Sequence, residues 1–133
     1  MTRRGGLYVV ELGDAMIKVG ATGAMSSRLK WLQSMTKLRA QRWAWIGYMK
    51  GNMLSAESVL LRAVGQSVPL SHGREWFSAG AGAFDAAVQS LALTARSVGV
   101  DEHSRLTSVM CGGDGCESMK AEIMRQLREQ VAA

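Results

Sequence analysis

Four side chains in the first half of the chain have the chemistry of a phosphate site. They are the Tyr8 phenol, the Lys18 ammonium, the Arg28 guanidinium and the Glu57 carboxylate. A guanidinium fork matches two phosphate oxygens at once, whereas an ammonium meets the same group as a point charge. A phenol both donates and accepts a hydrogen bond. A carboxylate is the hard oxygen ligand that Mg²⁺ prefers. Taken singly, each residue has an ordinary role: a half-buried strand tyrosine, the polar partner in an alternating strand, or a charge on a helix surface. Their order along the chain, and the elements that carry them, make a set of them.

Leu7-Tyr8-Val9-Val10-Glu11 is rich in β-branched and aromatic residues and predicts a strand. Gly13-Asp14 is a turn signal, and Met16-Ile17-Lys18-Val19-Gly20 alternates apolar and polar residues. The two runs predict an antiparallel hairpin that brings Tyr8 near Lys18, on one face if the register allows. Ser26 or Ser27 is expected to cap a helix whose inner face is Leu29, Leu32 and Met35. A third strand is expected over Trp43–Met49. A second helix, opened by Asn52 or Ser55, carries the stripe Ala56, Val59, Leu60, Ala63 and Val64 and leaves Glu57 off its centre. Gly73-Arg74-Glu75-Trp76-Phe77 is expected to be a short extended or turn segment.

After the small, flexible run Ala79–Ala83, the positions Phe84, Ala87, Val88, Leu91, Ala92 and Ala95 predict another helix. Residues 99–117 are expected to form a loop tipped by Gly112-Gly113-Asp114-Gly115. A last helix over 118–131 carries Met119, Ile123, Leu127 and Val131. The expected fold is α/β of the α+β kind: a small three-stranded antiparallel sheet flanked by helices. Residues 1–80 would form its core, and 81–133 a helical extension packed on the same domain.

With 133 residues, 47% of them hydrophobic and 20% charged, the chain has the composition of a globular domain. No apolar run reaches the roughly 18 residues that a membrane span needs. Glu11, Asp14 and Lys18 interrupt any signal-peptide core after the basic start. Cys111 and Cys116 are expected as two thiols, too few for a disulfide-dense secreted scaffold, which suits a cytoplasmic protein. His103 with these cysteines matches no standard zinc spacing. Of the net +5, residues 1–50 supply nine basic groups against two acids, or +7. Residues 51–133 hold seven basic groups against nine acids, or −2. A positive first half points to a polyanionic partner, because neutralising phosphates releases counterions. Lys30, Lys37, Arg39, Arg42 and Arg74 are candidates for such contacts beside Lys18, Thr22 and Arg28. Trp31, Trp43, Trp45 and Trp76 invite a base-stacking reading, but core or core-edge packing is expected for most of them. His72 could approach the site as an acid or base but is expected as a turn histidine, and Glu75 is expected as an acid anchoring its loop.

The pieces in order resemble the GIY-YIG nuclease superfamily over roughly residues 5–80. Gly6-Leu7-Tyr8 stands for the first signature, and Lys18-Val19-Gly20, followed by Thr22, for the second. Arg28 in Ser-Ser-Arg-Leu matches the family's helix arginine, and Glu57 in Ser-Ala-Glu-Ser-Val-Leu its metal-binding acid. Gly73-Arg74-Glu75-Trp76-Phe77 resembles the Glu-Trp-Phe element of a phage-associated DNA-binding subgroup, in which Lys often takes the place held here by Lys18. The resemblance implies an endonuclease that hydrolyses a DNA phosphodiester with Mg²⁺ or Mn²⁺. In it Glu57 holds the metal, Tyr8 acts as base or relay, and Arg28 stabilises the phosphate. Trp31 and Leu32 stand where members often carry His or Tyr, and Leu61 where the subgroup often carries His. Those departures bear on cleavage rather than on binding. They favour, as an alternative, a DNA-binding module that does not cut. A third reading is an interaction protein that pairs through the apolar stripe of its C-terminal helix to form a homodimer.

Overall fold

A computed structural model of the protein describes residues 5–14, 16–100 and 109–132. The element order is β1 (Gly6–Leu12), β2 (Met16–Thr22), α1 (Met25–Thr36), β3 (Ala40–Ile46), α2 (Met53–Gly65), β4 (Leu70–His72), β5 (Trp76–Ser78), α3 (Ala83–Val98), β6 (Val109–Gly112) and α4 (Cys116–Ala132). All pairings are antiparallel, and the sheet runs β4-β5-β2-β1-β3-β6. The expected three-stranded sheet is thus the centre of a six-stranded one. The Gly73–Phe77 region contributes to a β4–β5 hairpin on one edge. Part of the expected 99–117 loop is β6 on the other. His103 lies outside the described residues.

The centre of the sheet is covered on both faces because β1 is apolar on both. Leu7 and Val9 join Ile17 and Val19 in a core capped by α2, α3 and α4. Tyr8, Val10 and Leu12 point the other way and pack with Trp45 and with Met25 and Leu32 of α1. Phe84 and Leu91 of α3 and Ile123 and Leu127 of α4 are buried in the first of these cores together with β1. Ile123 and Leu127 therefore do not form an exposed dimer face; the Val131 side chain lies outside the described residues.

Helix starts differ in how they are held. Asn52 caps α2, its Oδ1 accepting the backbone N–H groups of Leu54 at 2.8 Å and Ser55 at 3.4 Å. Neither Ser26 nor Ser27 caps α1. The cap is Ala24, with no side-chain bond to the helix, and the Thr22 hydroxyl accepts the Ala24 N–H at 3.1 Å. Met35 on α1 and Val59 on α2, expected inside, are exposed.

Cys111 and Cys116 are joined in a disulfide between β6 and the first residue of α4. The expectation of two free thiols is corrected, and it no longer supports a cytoplasmic location. Among the described residues, no helix is long and apolar enough to cross a membrane.

Candidate phosphate-binding cleft

The β1–β2 register sets the floor of the cleft. Tyr8 faces Gly20 and Val10 faces Lys18, so Tyr8 and Lys18 lie on the same face of the sheet, two residues apart along the ladder. The glycines are there for space. A Cβ on Gly20 would stand 2.7 Å from the Tyr8 hydroxyl oxygen. A Cβ on Gly6 would run into the Ile46 carbonyl of the neighbouring strand. Tyr8 is 1% exposed and Lys18 is 4% exposed, so both groups are recessed rather than displayed.

The outer edge of β2 determines what meets these groups. β5 is three residues long and covers only Met16–Lys18 of β2. The Val19 N–H still finds the Glu75 carbonyl at 3.0 Å. Two residues on, where β5 has ended, the Ala21 N–H turns to the Glu57 carboxylate. Glu57 comes from α2 on one face of the sheet, and Arg28 from α1 on the other. Both reach this edge, and Tyr8, Lys18, Arg28 and Glu57 line one cleft of about 190 Å³.

Glu75 also belongs to the cleft, and it anchors its segment to β2 as expected. Its carboxylate accepts a hydrogen bond from the Lys18 ammonium at 2.9 Å. Fifty-seven residues separate the pair, and only the β4–β5 hairpin brings them together. Lys18 also donates to the Val19 carbonyl at 3.2 Å and lies 5.4 Å from the Trp76 ring centre. Arg28 sits 6.0 Å from the Tyr8 ring centre and 5.0 Å from that of Trp31. Trp31 and Trp76 line the cleft, Trp76 also packing at the edge of the core around Tyr8 and Val10, while Trp31 is exposed.

The electrostatics follow from the recess. Burial pushes the Tyr8 phenol up to about 12, with Arg28 pulling the other way, so the phenol keeps its proton at neutral pH. Burial first, and then the charge of Glu75, push the Glu57 carboxyl above the ordinary range. Lys18, the Ala21 N–H and Arg28 oppose that rise.

A second cleft of about 420 Å³ adjoins at Arg28 and Trp31 and includes Thr22. A third, of about 600 Å³, adjoins at Glu57, Glu75 and Trp76 and includes Arg74, Leu61 and His72. His72 is in β4, not in a turn, and its ring stacks on Trp76 at 5.4 Å and 11°. Lys30, Lys37 and Arg39 are exposed but line none of these three clefts. Arg42 belongs elsewhere. It faces the α3 side of the sheet, donates twice to Glu11 at 3.0 Å, lies 3.6 Å from Asp85 and stacks 4.6 Å from the centre of Phe84. It is therefore paired on the other face of the sheet and is not part of this cleft.

Among the described residues, no group of three or more His, Cys, Asp or Glu could hold a metal ion. The cleft does offer two carboxylates, Glu57 and Glu75. Two are enough for Mg²⁺, which usually takes one or two carboxylates and completes its shell with water and substrate phosphate. A cation there would also relieve the repulsion that raises the Glu57 carboxyl. The donor set therefore fits such an ion. The chain matches no protein-family profile, no curated protein and no solved structure.

Proposed function

We propose that this cleft is a GIY-YIG-type site that binds DNA and hydrolyses its phosphodiester bonds with a divalent metal, Mg²⁺ or Mn²⁺. The observation that carries the reading is the meeting of Tyr8, Lys18, Arg28 and Glu57, from four different elements, in one cleft. A chance set of surface charges has no reason to converge there. Glu57, with Glu75 beside it, would hold the metal. When bound, the metal supplies Lewis acidity at the phosphate and its leaving oxygen.

The chain's own residues do the rest. Arg28 orients the phosphate through its planar fork and stabilises the charge that grows on it. Lys18 supplies a second cation from the floor, held in place by Glu75. Tyr8, protonated at neutral pH, serves as a hydrogen-bond donor and proton relay rather than as a base. Thr22 and Arg74 lie in the adjoining clefts, where they extend the contact along the strand.

One observation favours the non-cutting alternative. Leu61 lines the adjoining cleft at the position where the resembled subgroup often carries a proton-transferring histidine. Supercoiled plasmid incubated with Mg²⁺ or Mn²⁺ separates the two. Metal-dependent nicking is expected from the wild type and should fall at least a hundredfold in Glu57→Gln and in Arg28→Ala. Salt-sensitive binding without nicking selects the module. Neither binding nor nicking at low salt rejects both.

A further inference from the structure

We propose that the strand taken by this cleft is unpaired DNA, with Trp31 as the platform on which one of its bases stacks. The inference rests on the DNA reading above and names the form of DNA that the site accepts. Trp31 is 49% exposed on α1, and the Arg28 guanidinium covers part of its ring at 5.0 Å. Residues at i and i+3 share a helix face, so the base platform and the phosphate ligand stand side by side. On the opposite wall, Trp76 is already stacked against His72. Two further apolar side chains stand exposed along the same groove, Met35 at 48% and Leu54 at 74%.

A duplex has little use for such walls. Its outer surface presents phosphates and sugars, and its base faces are occupied by stacking within the helix. An unpaired strand has free base faces, and aromatic platforms bind these without regard to sequence. Depth points the same way. Tyr8 and Lys18, at 1% and 4% exposure, are recessed in a cleft that Trp31 and Trp76 also line, so a phosphate reaching them enters among aromatic side chains. A flexible single strand can bend into that slot. A stiff duplex, with a persistence length of about 150 base pairs, would have to open or kink. The three adjoining clefts share their walls, so the slot continues on both sides as a track for the flanking nucleotides.

The test is the affinity of the full chain for a short fluorescent oligothymidylate and for a duplex of the same length. It is measured by anisotropy at low salt without divalent metal, for the wild type, Trp31→Ala and Trp31→Phe. The single strand should bind at least tenfold tighter than the duplex. Trp31→Ala should lose roughly tenfold on the single strand, while Trp31→Phe, which keeps an aromatic face, loses much less. Binding should also quench the tryptophan fluorescence, and less so in Trp31→Phe. Equal or tighter duplex binding, or an unchanged Trp31→Ala, overturns the inference and leaves the DNA reading standing. Binding to neither form overturns both.

Discussion

At the scale of single residues, the cleft sacrifices stability. Glu57 is held above the ordinary carboxyl range by burial and by Glu75, so its charged form disfavours the folded state. The sign follows from linkage. A folded-state pKa above the unfolded value of about 4.3 means the folded chain holds its proton longer, so stability falls as pH rises through that window. Without metal, Glu57→Gln should therefore melt at the same temperature as the wild type, or higher, at pH 7. The difference should shrink below the unfolded value, and calorimetry at the two pH values checks it. A wild type more stable than Glu57→Gln at pH 7 would mark Glu57 as structural. Metal-dependent activity should fall with acid through the same raised range. Tyr8, at about 12, contributes no inflection near neutrality. Such tension between stability and charge is common where a group is kept for its chemistry.

At the scale of elements, long periodic segments could be read from the sequence and short edge strands could not. The β1–β2 hairpin, α1, α2, α3 and α4 have enough residues for an apolar period to repeat. β4 has three residues, all exposed, and β5 buries only Phe77 fully. A period cannot show itself in one buried residue. The loss matters, because β5 begins with the Trp76 that walls the cleft and sets the preceding Glu75 against Lys18. The four central residues could be assembled into one site because each sits on a long element at family-like intervals. The Glu75–Lys18 pair and the placement of Trp76 against Lys18 could not, since they depend on how β5 pairs with β2. β6 was hidden for the same reason, and with it the closeness of Cys111 to Cys116. That bridge ties the outer edge strand to α4 across a short loop, for which chain entropy gives roughly 2 kcal/mol. Cys111→Ser should lower unfolding free energy by about that amount in denaturant titrations and leave the distant cleft intact. A reducing agent should have the same effect on the wild type and none on the variant.

At the scale of the whole molecule, the positive charge of the first half is not one surface. The sheet divides it. Arg28 lies on the α1 side in the cleft, while Arg42 lies on the α3 side between Glu11 and Asp85 with its ring contact to Phe84. Lys37 and Arg39 follow the end of α1, where the Arg39 carbonyl accepts the N–H of Gly13 at the far end of the hairpin from Gly20. A diffuse basic face and a specific cleft therefore predict different things of two arginines from the same basic half. The deciding measurement is DNA affinity at low and moderate salt for Arg28→Ala and Arg42→Ala. The cleft predicts that Arg28→Ala loses at least tenfold and shows a shallower salt dependence. It predicts that Arg42→Ala binds as the wild type does and instead unfolds more easily, by about 1–3 kcal/mol, as a partly buried bidentate pair is broken. Equal losses of affinity in the two variants, or a loss confined to Arg42→Ala, would contradict the assignment of DNA binding to this cleft.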